Sequence, residues 1–392
     1  MKAKLLSMIS VLLMCVSLTA CALYDKDYYS ESDYQIEAKK DPDNTGTVTV
    51  LNETELENAI VSIIEGNADS NKIVFSTDYD GDETSDISLA CKRINTGNPL
   101  CAYCVESIDY DIYKVVAYYE AVINVHFADS AVSIEDIIRP SYAGAIGGTV
   151  SQAMKDGVER IAVLVNRSSY DSDDIVEMAQ DIYYRDPLCV PCEPRFTVNM
   201  FSGASLQRLY EINIDYVVSQ DEFKEYKSFI DSFHPFSFDK DGPEALSELE
   251  MCAGITSYIV ENCSAASESG RNSAYYALSK GEADSKGLSL AFVALCEMNG
   301  LECKLVRGQR DWVNHYWNII KIDGDYYHVD IERCITEDIK SGFMLNDDNM
   351  WQSYRWNLSG YPQCSGSLSY NPALFPDIGS SGEKTIEDNT EE

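Results

Sequence analysis

Apolar positions recur along this chain with two different periods, and the changes of period mark out its elements. Lys72–Ser76 (KIVFS) and Arg160–Leu164 (RIAVL) read as short strands, and Ser85–Arg93 and Asp173–Tyr184 as helices. YEAVINVHF (119–127) and YEINIDYVV (210–218) alternate apolar with polar residues, the mark of half-buried strands. An offset of 88 residues superposes NPLCAYC (Asn98–Cys104) on DPLCVPC (Asp186–Cys192), and the same offset superposes KIVFS on RIAVL. Each unit thus reads helix, strand, helix, a PLCxxC turn, then one or two strands. Residues 48–135 and 136–220 are therefore expected to be two copies of one small α+β module, packed as a pair. Residues 221–244 follow as a linker helix.

Farther along, Ser285 caps a helix whose apolar positions include Leu288, Phe292 and Leu295, and Gly300 closes it. Leu301–Val306 begins a strand. His315–Ile322 alternates, Asp323-Gly324 is a two-residue hairpin turn, and Asp325–Asp330 returns. With that turn Ile322 pairs with Asp325, so Asp330 falls opposite Trp317. His315 shares the face of Trp317, which makes His315 and Asp330 diagonal neighbours about 7–8 Å apart at Cα. An imidazole and a carboxylate meet across that separation, as a base and the group that orients it. His328 has the parity of Asp330 and is expected to be peripheral or structural. His126 ends a strand and His234 precedes a proline.

The N-terminus is an address. Lys2 and Lys4 precede an apolar run from Leu5 to Leu18, and Leu18-Thr19-Ala20-Cys21 closes it like a bacterial lipobox. Residues 1–20 are expected to be a lipoprotein signal peptide. Cys21 would then be the lipidated residue, anchoring the exported protein to the outer face of the cytoplasmic membrane. Residues 21–47 read as a tether, and residues 366–392 as an acidic disordered tail.

With 45% hydrophobic and 11% aromatic residues, the rest of the chain is that of a folded protein. A formal charge of −35 repels phosphate backbones and argues against nucleic acid as a partner. Of 13 cysteines, eleven remain beyond Cys15 and Cys21, an odd number in an exported chain that permits disulfides. The two CxxC pairs admit three readings: a redox motif, a shared zinc site and a duplicated structural turn. Helix-before-strand order disfavours the first, and the 84 residues between Cys104 and Cys189 disfavour the second. Asp78–Glu83 and Tyr170–Asp174 are acidic loops before helices, where carboxylates cap. The first lacks the glycine and glutamate spacing of a calcium loop. No metal and no cofactor is expected.

Four ordered elements of residues 245–365 resemble the transglutaminase-like superfamily, whose pattern runs G-x-x-C-x-G-[YL]-A-x-A-F, G-[IL]-x-C, H-A-W-N and D-G-x-W-Y-x-V-D. Lys286–Phe292 follows the first, Gly300–Cys303 the second, His315–Asn318 the third and Asp323–Asp330 the fourth. The resemblance implies a papain-like α+β fold, a helix packed on an antiparallel sheet, and a triad of Ser285, His315 and Asp330. The family nucleophile is cysteine, and serine stands here. Tyr316 for Ala, and Ile331-Glu332-Arg333 after the aspartate, are further departures. Cys296 does not substitute, lying about 16 Å along the helix from Ser285. A thiol ionises readily beside an imidazolium and a helix N-terminus, whereas a hydroxyl needs concerted removal of its proton.

The favoured reading is a catalytically impaired surface lipoprotein that binds peptide, protein or cell-wall polymer. Tyr276, Trp312, Tyr316 and Trp317 are its candidate substrate-binding aromatics. The alternative is an active acyl-transfer enzyme or peptidase using Ser285, His315 and Asp330.

Overall fold

The computed structural model describes residues 47–129, 131–203, 205–233, 246–266 and 270–375. The signal peptide, Cys21, nearly all of the tether and residues 376–392 lie outside them. Among the described residues, three larger sheets of mixed α+β structure follow one another along the chain, with a fourth, two-stranded sheet beside the last.

In the first, β1 (Val48–Asn52) pairs in parallel with β2 (Ser70–Asp80), and β4 (Tyr118–Phe127) lies antiparallel between β2 and β3 (Val105–Val115). Helices α1 (Glu53–Glu65), α2 (Glu83–Gly97) and α3 (Pro99–Cys104) connect them. After α4 (Ile146–Asp156) come β5 (Arg160–Val165), α5 (Ser172–Arg185), β6 (Arg195–Ser202) and β7 (Arg208–Asp215), with strand order β5-β7-β6. Helix, strand, helix, strand, strand thus occurs in both stretches, with the last strand central each time. The acidic loops cap helices: Asp82 accepts from the Ser85 N–H, and Asp171 and Asp174 form a capping box.

Five consecutive residues of β5, Ile161–Val165, are buried. Ile161, Val163 and Val165 belong to one hydrophobic core, while Ala162 and Leu164 belong to another built mainly from residues 50–137. The middle sheet is therefore covered on both faces, which is why β5 reads as an unbroken apolar run rather than an alternating one. Its outer core continues without a break into residues 251–375. Here the fold tightens further: Ser273 Oγ donates to the Pro191 carbonyl at 2.7 Å, and the Tyr226 hydroxyl of α6 (Gln220–Ser232) to the Leu188 carbonyl at 2.6 Å.

The C-terminal part packs α7 (Glu248–Asn262), α8 (Ala274–Lys280) and α9 (Ser285–Met298) against an antiparallel sheet of order β12-β11-β10-β13. Its strands are β10 (Cys303–Arg310), β11 (Val313–Ile322), β12 (Asp325–Val329) and β13 (Tyr354–Trp356), and β8 (Ser264–Ala265) and β9 (Glu282–Ala283) make a small parallel pair beside them. Lys286–Cys296 of α9 is buried throughout, so this is a central helix rather than a surface one. The hairpin register is Ile322↔Asp325 and Asn318↔Val329, as the two-residue turn requires.

Residues 366–375, read from the sequence as the start of a disordered tail, are part of the fold. Phe375 is buried against the Phe343 ring, with centroids 5.1 Å apart. Apolar residues placed among polar ones in that stretch found a surface to cover, which composition alone does not show. No helix among the described residues is long and apolar enough to cross a membrane.

Candidate active site

Asp284 follows β9 and caps α9, accepting from the Gly287 N–H at 2.9 Å, which places Ser285 at the first helical position. Burial pushes the Asp284 carboxyl up, against the opposing hydrogen bond from Gly287. Gly287 is glycine because there is no room for more. A Cβ there would stand 2.7 Å from Ala283 Cβ, 2.9 Å from the Arg271 carbonyl oxygen and 3.0 Å from that of Ser273. Asn318 on β11 ties the sheet to this helix, its amide donating to the Ser289 carbonyl at 3.0 Å.

On β11, His315 is 5% exposed and meets the fully buried Asp330, with Nε2 2.7 Å from Oδ2. Asp330 accepts three hydrogen bonds. Its Oδ2 also accepts from the Tyr354 hydroxyl at 2.6 Å, and its Oδ1 caps α10 (Ile331–Thr336) by accepting from the Arg333 N–H at 3.0 Å. Burial alone would raise this carboxyl; the bond and charge of His315, then the Tyr354 and Arg333 bonds, outweigh it and hold it below the usual carboxylate range.

The structure thus brings His315 and Asp330 together. Among the described residues no hydrogen bond joins Ser285 to His315. The group at His315 Nδ1 is Glu332, with Oε2 3.4 Å away. Burial pushes the Glu332 carboxyl up, partly opposed by His315. Glu332 also lies within electrostatic reach of Asp284, so the start of α9 and the imidazole border one site.

The four aromatics expected to bind substrate separate. Tyr316 is half-buried beneath the Lys286 ammonium, 5.3 Å from its ring centroid. Lys286 also pairs with Glu193 and sits 5.6 Å from the Tyr184 ring centroid, joining the middle sheet's loops to the first turn of α9. Tyr184 continues into an open cleft of about 640 Å³ between α5 and β10, which Arg307 and Tyr361 also line. Trp312 is 77% exposed at the β10–β11 turn, with the Arg355 guanidinium 5.4 Å from its ring. Tyr276 points to α6, where its hydroxyl bonds Glu222.

Trp317 requires correction: it is fully buried and cannot touch a ligand. It packs between His315, Tyr354 and Trp356, and its Nε1–H donates to His328 Nδ1 at 3.0 Å. β13 extends the same sheet beside β10, and its Tyr354 and Trp356 side chains close over Trp317 together with Met350 and Cys364.

His328, Asp347 and Cys364 also gather, with ligand atoms within 4.8 Å of one another. An indole N–H only donates, so His328 Nδ1 must accept and its proton sits on Nε2, directed at Asp347 Oδ1 at 2.9 Å. That leaves the neutral ring no lone pair for a cation, and the cluster is a structural hydrogen-bond chain.

All eleven described cysteines are thiols. Burial pushes Cys101 and Cys189 up to about 12, and Cys104 and Cys192 up to about 11, the opposite of a redox nucleophile. Cys101 and Cys104 belong to the first core and Cys189 to the second, so the two motifs do not converge on one ion.

Sequence reasoning passed over Glu332, Tyr354, Lys286, Glu193 and Tyr184 as site residues. Glu332 had a signal, as an acid two positions after the orienting aspartate; Tyr354 had none, since the pairing Arg310↔Tyr354 alone delivers it.

The model of the transglutaminase-like superfamily matches residues 241–331. The C-terminal part of the chain therefore carries a transglutaminase-like domain, in which α9 and the β11–β12 hairpin hold the motif residues. No curated protein matches the chain. Among solved structures, a candidate cysteine protease from Cytophaga hutchinsonii is 13% identical, over 36% of this chain and 62% of that one, with a TM-score of 0.22. The chain thus spans less than two thirds of that protein. A TGase is 12% identical, over 65% of this chain and 67% of its own, with a TM-score of 0.23.

Proposed function

We propose that this protein is an exported lipoprotein, held on the outer face of the cytoplasmic membrane through Cys21. Its transglutaminase-like domain binds peptide, protein or cell-wall polymer without performing thiol chemistry. One observation carries the reading: a hydroxyl, Ser285, stands at the first position of α9, where the family pattern has its thiol. Ten of the eleven thiols are buried and the other, Cys263, is half-buried. The open cleft lined by Tyr184, Arg307 and Tyr361 offers a wet, partly aromatic surface of the kind that takes glycans and peptides, and Trp312 is a separate exposed aromatic. The shared element order of residues 48–127 and 146–215 supports their origin as two copies of one module.

A second reading has its own support. The His315–Asp330–Tyr354 chain is complete, and a triad with serine as nucleophile needs that half intact. Labelling the mature chain with a fluorophosphonate, mapped by mass spectrometry against Ser285→Ala and His315→Ala, separates the two. No adduct at Ser285, with retention of wall-polymer fragments on the immobilised protein, is the expected result. An adduct at Ser285 lost in His315→Ala would replace the binding reading with a serine acyl-transfer enzyme or peptidase.

A further inference from the structure

A base that serves a nucleophile at the start of α9 must offer that nucleophile an unshared ring nitrogen. His315 spends Nε2 on Asp330 at 2.7 Å, so only Nδ1 is left. Glu332 faces Nδ1 at 3.4 Å, its side chain 24% exposed and that of His315 only 7%. It is anchored where it stands: the capped first turn of α10 fixes its backbone two residues beyond Asp330. The charged groups that reach it are His315 on β11, Asp330 at the cap of its own helix, Arg310 on β10 and Asp284 at the cap of α9. Arg310 pairs with Glu337, which leaves the His315 ring as the group most directly facing Glu332.

We propose that Glu332 is a lock on His315: its carboxylate holds the Nδ1 side of the imidazole and withholds it from residue 285. The inference rests on reading 285 and 315 as the altered nucleophile–base pair, and it supplies a cause of impairment separate from the loss of sulfur. Serine for cysteine removes the nucleophile's acidity; Glu332 occupies its partner. A carboxylate so placed also opposes a second anion beside the imidazole, so a thiolate at 285 would be disfavoured even if the sulfur were restored. The burial that raises the Glu332 carboxyl is consistent with a group held inside the site rather than on its rim.

The test restores the sulfur and removes the lock separately, in the full mature chain. Ser285→Cys and Ser285→Cys/Glu332→Gln are alkylated with iodoacetamide at pH 6. The thiolate attacks the methylene carbon, iodide leaves, and adduct at residue 285 is quantified by mass spectrometry. Gln keeps the shape of Glu, so packing is preserved and only the charge is lost. The double variant is expected to react at least tenfold faster than Ser285→Cys alone, and adding His315→Ala is expected to abolish the gain. Rates within twofold of each other, or a gain that survives His315→Ala, would overturn the lock. Fluorophosphonate labelling of Glu332→Gln with Ser285 intact keeps the two proposals apart. A thiol gain without serine adduct supports the lock and the binding reading together. A thiol gain with serine adduct supports the lock and replaces the binding reading.

Discussion

Asp330 is a buried anion that accepts three hydrogen bonds, and Asp330→Asn is the perturbation that tests whether they hold the domain together. Oδ2 receives His315 and Tyr354, and Oδ1 receives the Arg333 N–H. An amide has one carbonyl and one NH₂. Turning its carbonyl to His315 and Tyr354 sets the NH₂ against the Arg333 N–H; flipping it serves Arg333 only if the imidazole and the tyrosine hydroxyl both turn from donors to acceptors. Either way the charge-assisted bonds are lost. With hydrogen bonds to a charged group at roughly 1.5–3 kcal/mol and an orphaned buried donor at roughly 1–3, the loss is expected to be about 2–4 kcal/mol. Asp330→Ala, which also opens space, should cost about 3–5 kcal/mol.

Urea unfolding of the mature chain followed by far-ultraviolet circular dichroism measures both, through a midpoint shift at constant slope. The pH dependence fixes the sign. The folded carboxyl is held below its unfolded value, so its contribution is full above about pH 3.9 and is lost only as pH falls through the folded value. The gap between wild type and Asp330→Asn should therefore persist from pH 7 down to about pH 4 and close only as the pH falls further, toward the folded value. A gap smaller than about 0.5 kcal/mol at pH 7, the size of an ordinary surface substitution, would refute the reasoning. So would one that has already closed at pH 6.

Three further outcomes follow from burial and contact. Trp317→Ala should destabilise by about 3–5 kcal/mol in the same urea assay and erase much of the near-ultraviolet dichroism, since a fully buried indole leaves a cavity. Trp312→Ala should change stability by less than about 0.5 kcal/mol while weakening retention of wall-polymer fragments, because its ring stands 77% exposed. Gly287→Ala should lower stability by about 1–3 kcal/mol through contact with Ala283 and the Arg271 and Ser273 carbonyls, read as a lower urea midpoint.

What the sequence made legible was local. The Asp323-Gly324 turn dictates its own register, and that register carries His315 toward Asp330 with no other information needed. Ser285 at a helix start follows from the cap before it and the apolar period behind it. The illegible parts depend on elements remote in sequence. Trp317 alternates like a residue of an exposed face, and residues remote in sequence bury it, Tyr354 and Trp356 of β13 with Met350 and Cys364. Lys286 reads as the charged residue of a helix start, yet Glu193 and Tyr184, contributed by the middle sheet's helix and loop, enclose it. The unbroken apolar run of β5 was a sign that this sheet has no free face, but a run of that length fits a buried helix segment equally well. Phe375 gave no warning, because its partner Phe343 lies in a different turn of chain.

The His315 and Trp317 rings lie nearly parallel, 20° apart with centroids separated by 6.1 Å. An imidazolium accepts an electron from an excited indole far more readily than a neutral imidazole does, so the brightness of Trp317 depends on the charge of the ring beside it. Trp312 and Trp351, more open to water than Trp317, emit farther to the red and can be filtered out, and Trp356→Phe removes the remaining indole. The domain thus contains its own optical gauge. A ligand that enters beside α9 and shifts a proton on His315 will brighten or dim an emitter already built into the strand, with no dye attached and no reaction required.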